Sequence, residues 1–202
     1  MNGVKELDTN FVFPDFFNMD ELTKLPVYKH TYGESQEEDP TTLYWTEYHS
    51  LDPDLNEKGS ISFVRKLYLE YPEVAQYIVD YLQTLFPIIE FETNRVSVLK
   101  TNGSINPHID EAGRICCVNI GIKNSSAAVT RTSSTKDFEI FEKVASEVVC
   151  QDNHAYLLDT SSVHEVIGKD LTTDRFFFSY AFRREFNIVH SVFKRPHGKR
   201  NN

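Results

Sequence analysis

The sequence RFFFSYAF at residues 175–182 decides the fold, because it is typical of a strand with two unlike faces. Side chains alternate along a strand with a period of two. One face is aromatic and consists of Phe176, Phe178, Tyr180 and Phe182. The other face is mixed and consists of Arg175, Phe177, Ser179 and Ala181. An arginine on such an apolar strand must meet an anion or reach solvent. The apolar surroundings favour an inward anion, and a surface ion pair with Asp174 or Glu165 is the alternative.

Short β-branched and aromatic runs alternate with turn residues from Glu90 onward, which is typical of an all-β sandwich or barrel. Strands are predicted at 94–100, 115–122, 127–132, 138–141, 155–159, 165–167 and 176–182. Before them, residues 60–71 are predicted to be helical. Residues 72–86 are the strongest helix prediction, because Pro72 suits a helix start and apolar residues then recur at helical spacing. We therefore expect a mainly β protein with flanking helices, folded as a double-stranded β-helix of the jelly-roll or cupin-like type.

The 202 residues are expected to form a single domain. Residues 1–90 are predicted to be a mixed helical and irregular flank, with a loop near 32–42. Residues 91–190 are predicted to form the jelly-roll core, and 191–202 a basic, solvated tail.

Composition narrows the class of protein. A net charge of -9 argues against a general nucleic-acid binder, because phosphate binding needs a basic face. The three cysteines are odd in number and lack a CxxC spacing, so reduced, buried thiols are expected, with Cys116 and Cys117 on opposite faces of a strand. No apolar signal-peptide region or membrane-spanning run is evident, and a cytoplasmic protein is expected.

A short metal-binding pattern lies between the predicted strands. His108 and Asp110 are two residues apart, so on an extended segment both side chains can reach one ion. His164 follows the apolar run 156–160 and a turn, which indicates a second imidazole at a strand edge. Two imidazoles and one carboxylate form the facial set that holds a divalent iron and leaves three coordination positions open. The alternative is that each is an ordinary polar residue, since HxD arises by chance and the chain has seven histidines.

The order His108-x-Asp110, His164 and Arg175 resembles that of the Fe(II)/2-oxoglutarate-dependent dioxygenase superfamily. The closer similarity is to aspartyl/asparaginyl β-hydroxylase-like and prolyl-hydroxylase-like members, and it spans about residues 93–183. The resemblance implies that the two histidines and the aspartate bind iron and that Arg175 binds the distal carboxylate of 2-oxoglutarate. It also implies hydroxylation rather than halogenation, because halide-binding relatives lack the carboxylate found here at Asp110.

Further residues are predicted to border this site. Ser179, on the face of the arginine, and Asn119, expected to face inward, are predicted to contact 2-oxoglutarate. Arg95 is expected to share a face with Leu99 and to have a structural role or to bind a substrate carboxylate. Asp159 either orients a neighbour of the metal ligands or simply ends a strand.

Two other segments have open interpretations. The aromatic run 44–48 contains the only tryptophan, and core packing is favoured for it over a lid on the substrate side. The Ser- and Thr-rich segment 125–134, which contains Arg131, either contacts a polar substrate or is an exposed hairpin.

The function implied by the resemblance is that of a non-haem Fe(II)/2-oxoglutarate-dependent oxygenase. Its cosubstrates would be O₂ and 2-oxoglutarate, and it would hydroxylate a peptidyl side chain or a small polar molecule. Two alternatives stay open. One is a cupin-like metal protein, a dioxygenase or an isomerase, that does not use 2-oxoglutarate and in which Arg175 forms a plain ion pair. The other is a non-catalytic jelly-roll binding module.

Overall fold

A computed structural model describes residues 3–31, 42–49, 59–110 and 113–194. The predicted loop at 32–42, apart from its last residue, and the tail beyond Lys194 lie outside the described residues. The strands are β1 (Val4–Asp8), β2 (Val27–Thr31), β3 (Trp45–His49), β4 (Gly59–Val64), β5 (Val96–Gly103), β6 (Ile105–His108), β7 (Cys116–Lys123), β8 (Ala128–Thr132), β9 (Ser146–Val148), β10 (Ala155–Asp159), β11 (His164–Gly168) and β12 (Arg175–Phe182). The helices are α1 (Met19–Leu22), α2 (Leu67–Glu70), α3 (Pro72–Leu85), α4 (Phe138–Val144) and α5 (Phe186–Ser191), with 3₁₀ turns at Thr93–Arg95 and Ser125–Ala127.

The described strands form two sheets. The large sheet has the order β1-β10-β7-β12-β5-β4-β3-β2, and the small sheet has the order β6-β11-β8-β9. From β5 to β12 the chain passes repeatedly between the sheets, so that β10-β7-β12-β5 belongs to one layer and β6-β11-β8-β9 to the other. This winding is that of a jelly roll, as predicted. The strands β1 to β4, which the sequence did not predict, extend the large sheet at both edges.

The two faces of β12 meet two different apolar clusters. Phe176, Phe178, Tyr180 and Phe182 join the main core, which lies between the large sheet and the helices. Phe177 instead belongs to an inner cluster between the sheets, together with Leu99, Cys117, Cys150, Tyr156 and Leu158. The predicted alternation of faces is therefore confirmed. The neighbouring Cys116 and Cys117 fall in different clusters, and all three cysteines are buried and free, also as predicted.

Two predicted elements are wrong. Residues 59–64 form strand β4 rather than the start of a helix, because the apolar residues alternate with serines there, and only the four-residue α2 follows. The predicted strand at 138–141 is the start of helix α4. Asp137 caps this helix, since its carboxylate accepts hydrogen bonds from the backbone N–H groups of Glu139 and Ile140. These capping hydrogen bonds stabilise a helix here, although the alternating sequence pattern at 138–141 suggested a strand.

The turn from β5 into β6 requires a glycine. Gly103 has a φ of 55°, in the left-handed region that favours glycine. A Cβ on Gly168 would lie 2.0 Å from the Gly103 carbonyl oxygen, so the two backbones approach each other closely where the sheets meet. No helix within the described ranges is both long and apolar enough to cross a membrane.

Candidate active site

Three predicted metal ligands converge on one space. His108 ends β6, His164 begins β11, and the two residues face each other across these paired strands. The Asp110 Oδ1 atom lies 3.5 Å from His108 Nε2 and 3.8 Å from His164 Nε2. One ligand atom from each of the three residues lies within 4.8 Å of the others. Two adjacent ligands of a metal at about 2.1 Å are about 3 Å apart, so small side-chain movements would complete the shell.

The hydrogen bonds of the two imidazoles fix which nitrogen is available. His108 Nδ1 lies 2.8 Å from the Asn106 carbonyl oxygen, and His164 Nδ1 lies 3.0 Å from the Ser162 carbonyl oxygen. A carbonyl can only accept, so each Nδ1 carries a proton and donates it. Each neutral ring therefore keeps an unprotonated Nε2, the form that binds a metal.

Burial and local charges shift the pKa values of all three groups. Burial lowers the pKa of His164 to about 4, with a further lowering by His108. Burial alone would lower the pKa of His108 as well, but the hydrogen bonds that the protonated ring can donate to Asp110 and to the Asn106 carbonyl outweigh it and raise that pKa. Burial would raise the pKa of Asp110, but a hydrogen bond from protonated His108 and the charge of Arg114 lower it. The site therefore favours a charged carboxylate beside a neutral His164.

The turn before His164 is held by Asp159. Its Oδ1 accepts hydrogen bonds from the backbone and the hydroxyl of Ser161, and its Oδ2 accepts one from the Ser162 hydroxyl at 2.9 Å. Ser162 is also the residue whose carbonyl oxygen accepts the proton of His164. Asp159 thus ends a strand and orders the loop that carries a predicted ligand.

Arg175 is a buried cation at the start of β12, with 3% of its surface exposed. Its Nη2 donates a long, 3.5 Å hydrogen bond to the Gly103 carbonyl oxygen. Burial lowers its pKa to about 10, and the Cys150 thiol is the titratable group that acts against this shift. No carboxylate in the described part of the chain forms an ion pair with Arg175, so the surface pair considered with Asp174 or Glu165 does not form.

Hydroxyl groups without hydrogen-bond partners accompany this cation. Thr101 faces Arg175 across β5 and β12, and its Oγ1 is buried without a hydrogen bond among the described residues. Thr132 faces His164 across β8 and β11, and its Oγ1 is also buried without a hydrogen bond among the described residues. Buried polar groups are normally hydrogen-bonded, so the Thr101 hydroxyl and the guanidinium beside it together suit a bound anion with several oxygen atoms.

The predicted residues Ser179 and Asn119 lie at the other end of the inner face. Ser179 lies four positions after Arg175, a distance of about 13 Å along β12. The Ser179 hydroxyl donates to Asn119 Oδ1 at 2.7 Å and accepts from Arg114 Nη2 at 3.2 Å. Their predicted contact with 2-oxoglutarate stays a prediction, and their observed partners lie on the Asp110 side of the interior.

The two other arginines named in the sequence analysis, Arg95 and Arg131, contact groups other than the three predicted metal ligands. Arg95 lies in a 3₁₀ turn, and its guanidinium lies over the ring of Tyr180, 5.6 Å from the centroid. Tyr180 belongs to the main core, whereas Leu99 belongs to the inner cluster. The predicted common face of Arg95 and Leu99 is therefore wrong. Arg131 pairs with Glu165 and stacks 5.3 Å from the Phe141 ring.

Trp45 is buried, and its Nε1 donates to the Leu22 carbonyl oxygen at 2.8 Å. Core packing, the favoured interpretation of the run 44–48, therefore holds for its tryptophan.

Sequence reasoning missed Arg114, Thr101 and Thr160, which contact or border the site. Arg114 Nε lies 2.8 Å from Asp110 Oδ2, and Thr160 Oγ1 donates to the Arg114 carbonyl oxygen at 2.8 Å. A signal for Arg114 was present, since it follows the HxD pattern by four residues. Nothing in the sequence distinguished the two threonines, because their roles depend on pairing between distant strands.

Comparisons with known proteins found solved structures of low similarity, two of which are described here. No protein-family model matches the chain, and no curated protein matches it. The non-haem α-ketoglutarate-dependent epimerase SnoN from nogalamycin biosynthesis is 14% identical, with a TM-score of 0.35, and 59% of each chain is covered. A Pseudomonas putida prolyl-4-hydroxylase is 11% identical, with a TM-score of 0.34, and 66% of this chain and 77% of that one are covered. The chain thus spans less than two thirds of the epimerase and most of the hydroxylase.

Proposed function

We propose that this protein is a non-haem Fe(II)/2-oxoglutarate-dependent oxygenase that hydroxylates a peptidyl side chain or a small polar molecule. The observation that carries the proposal is a buried guanidinium without a carboxylate partner in the described residues, inside the same jelly roll as a His-Asp-His group. A dicarboxylate cosubstrate needs both features, one for its keto-acid end and one for its tail.

The donor set fits iron better than the common structural metals. His108, Asp110 and His164 offer two neutral nitrogens and one carboxylate oxygen, with no thiolate among them. This set suits a divalent iron that must keep coordination positions open, whereas structural zinc is normally closed by four ligands. Iron, when bound, would supply the activation of O₂ that converts 2-oxoglutarate to succinate and CO₂.

The residues of this chain bind and orient. Arg175 provides a planar fork for the distal carboxylate, and the Thr101 hydroxyl is available to donate to the same group. The apolar cluster that includes Leu99, Phe177 and Tyr156 would exclude water from an ion pair between Arg175 and that carboxylate and so strengthen it. This arrangement favours an enzyme that uses 2-oxoglutarate over a metal protein that does not, because in the latter Arg175 would be neutralised by a carboxylate of the chain.

The first experiment uses anaerobic protein with Fe(II) and 2-oxoglutarate. Chelation of the keto acid to iron should give a weak visible charge-transfer band at about 500 nm. Uncoupled formation of succinate should follow when air is admitted. Metal binding without the band would identify a metal protein that does not use 2-oxoglutarate, and neither signal would identify a binding module; either result would refute the proposal.

The substrate is tested separately, by the stimulation of succinate formation across a panel of amino acids and peptides. A polar substrate that contains a carboxylate or an amide should stimulate turnover and gain one oxygen atom, detected by mass spectrometry. Absence of a stimulating compound together with a clear charge-transfer band would leave the cofactor assignment standing and refute the proposed substrate class.

A further inference from the structure

We propose that Arg114 is a positioning residue that makes Asp110 a ligand through one oxygen only. The proposal rests on the metal site proposed above, and it concerns what the chain does to the carboxylate rather than which metal binds. Among the described residues, the Asp110 carboxylate contacts the two histidines through Oδ1 and Arg114 through Oδ2.

The division between the two oxygens is clear from the distances. Oδ1 lies 3.5 Å from His108 Nε2 and 3.8 Å from His164 Nε2, whereas Oδ2 lies 2.8 Å from Arg114 Nε. An ion pair this close restricts rotation of the carboxylate and withholds Oδ2 from an ion on the other side. A carboxylate that binds through both oxygens would occupy one of the positions needed by the cosubstrates.

Arg114 is itself held from several directions. Its Nη2 donates to the Ser179 hydroxyl at 3.2 Å, and that hydroxyl donates to Asn119 at 2.7 Å. Its guanidinium lies over the ring of Phe63, 5.6 Å from the centroid. These contacts come from β12, β7 and β4, so three strands of the large sheet fix the orientation of the guanidinium.

The backbone links the same arginine to the second histidine. The Asp110 N–H donates to the Thr160 carbonyl oxygen at 2.9 Å, and the Thr160 hydroxyl donates to the Arg114 carbonyl oxygen at 2.8 Å. Thr160 begins the turn that leads to His164. The segments that carry Asp110 and His164 are therefore tied together beside the ligand atoms.

Positioning and charge have opposite effects on metal affinity. As a positive charge near the ion, Arg114 would weaken metal binding, and its removal would strengthen it. As a positioning residue, it holds the ligand in the productive orientation, and loss of such a partner typically weakens binding by about 10- to 100-fold. The sign of the change therefore distinguishes the two roles.

The test is a titration of the full-length, metal-free protein with Co(II), followed by visible absorption, which reports coordination number as well as affinity. The variants are Arg114→Ala and, in case that protein does not fold, Arg114→Lys, which keeps the charge but lacks the fork that reaches Oδ2 and Ser179 together. The matched control is Arg65→Ala, because Arg65 stacks on the same Phe63 ring, also at 5.6 Å, and is exposed.

We expect Arg114→Ala to bind Co(II) about 10- to 100-fold more weakly, with an altered absorption intensity, and Arg114→Lys to show a smaller change of the same sign. Arg65→Ala should match the parent in both respects. Unchanged or tighter binding with the parental spectrum in a folded Arg114 variant would overturn the proposal. A parent protein that binds no Co(II) would instead refute the proposed metal site, so the two failures are distinguishable.

Discussion

Replacing the buried arginine by a neutral side chain of similar length should raise stability and strongly weaken cosubstrate binding at the same time. The change is Arg175→Met, since methionine is unbranched, apolar and adapts to irregular space. Arg175 is almost fully buried, and within the described part of the chain it donates one long hydrogen bond, to the Gly103 carbonyl oxygen. A cation buried without a carboxylate partner among the described residues carries a desolvation cost.

The size of that cost follows from the pKa of Arg175. Burial lowers it from 12.5 to about 10, which corresponds to roughly 3 kcal/mol of unfavourable folding free energy at every pH below that value. Methionine removes this cost but also loses the bond to Gly103. We therefore expect the metal-free variant to be more stable by about 1–3 kcal/mol, with a melting temperature higher by roughly 2–4 °C per kcal/mol.

The effect on 2-oxoglutarate binding should be large and opposite. Truncating one partner of a buried charge pair typically costs about 2–5 kcal/mol, which corresponds to a loss of affinity of about thirtyfold or more. Metal affinity should change little, because Arg175 does not contact the three ligands.

The assay is thermal unfolding of the metal-free proteins, combined with anaerobic calorimetric titration of the Fe(II)-loaded proteins with 2-oxoglutarate. Arg65→Met is the control, since this exposed arginine should change neither quantity. A destabilised but folded Arg175→Met protein, or one that keeps the parental affinity for 2-oxoglutarate, would refute the reasoning about a preformed anion site.

Three further results are expected. His108→Ala should bind Fe(II) or Co(II) at least about tenfold more weakly while its circular dichroism is unchanged, and tight metal retention would exclude His108 as a ligand. Thr101→Val should lower the affinity for 2-oxoglutarate by about five- to tenfold without destabilising the free protein, because it removes a buried hydroxyl that lacks a partner; equal affinity would mean that the hydroxyl does not meet the carboxylate. Because burial lowers the pKa of His164 to about 4, the unfolded chain binds this proton first as pH falls, so His164 should cost the metal-free protein stability between pH 6.5 and 4. His164→Asn should reduce that loss in urea unfolding measured at each pH, and an identical pH profile would contradict it.

Patterns within single elements were predictable from the sequence. The strand at 175–182 and helix α3 have strong periodicity, and each appears within one residue of the predicted bounds. The approach of His108 and His164 also agreed with the expectation from order and spacing. In these cases the information is local, or it is contained in a small number of unusual residue types.

The first 90 residues and α4 were not predictable in the same way. Strands β2 to β4 are short and gain their stability by pairing at the edge of a sheet whose other strands come later in the chain. For α4, the aromatic and β-branched residues favoured a strand, and the Asp137 cap decided otherwise. Thr101 acquires its place at the site only because β5 pairs with β12 at that register.

The cross-strand pairing of His108 with His164 makes assembly of the proposed metal-ligand set a measure of correct folding. These residues are 56 positions apart in the chain, and they meet only when β6 and β11 align in one register. A slip by a single residue would turn one imidazole to the opposite face of the sheet. Recovery of Co(II) absorbance after dilution from urea should therefore lag behind the return of β-sheet signal and report, in real time, when the two strands reach their native alignment.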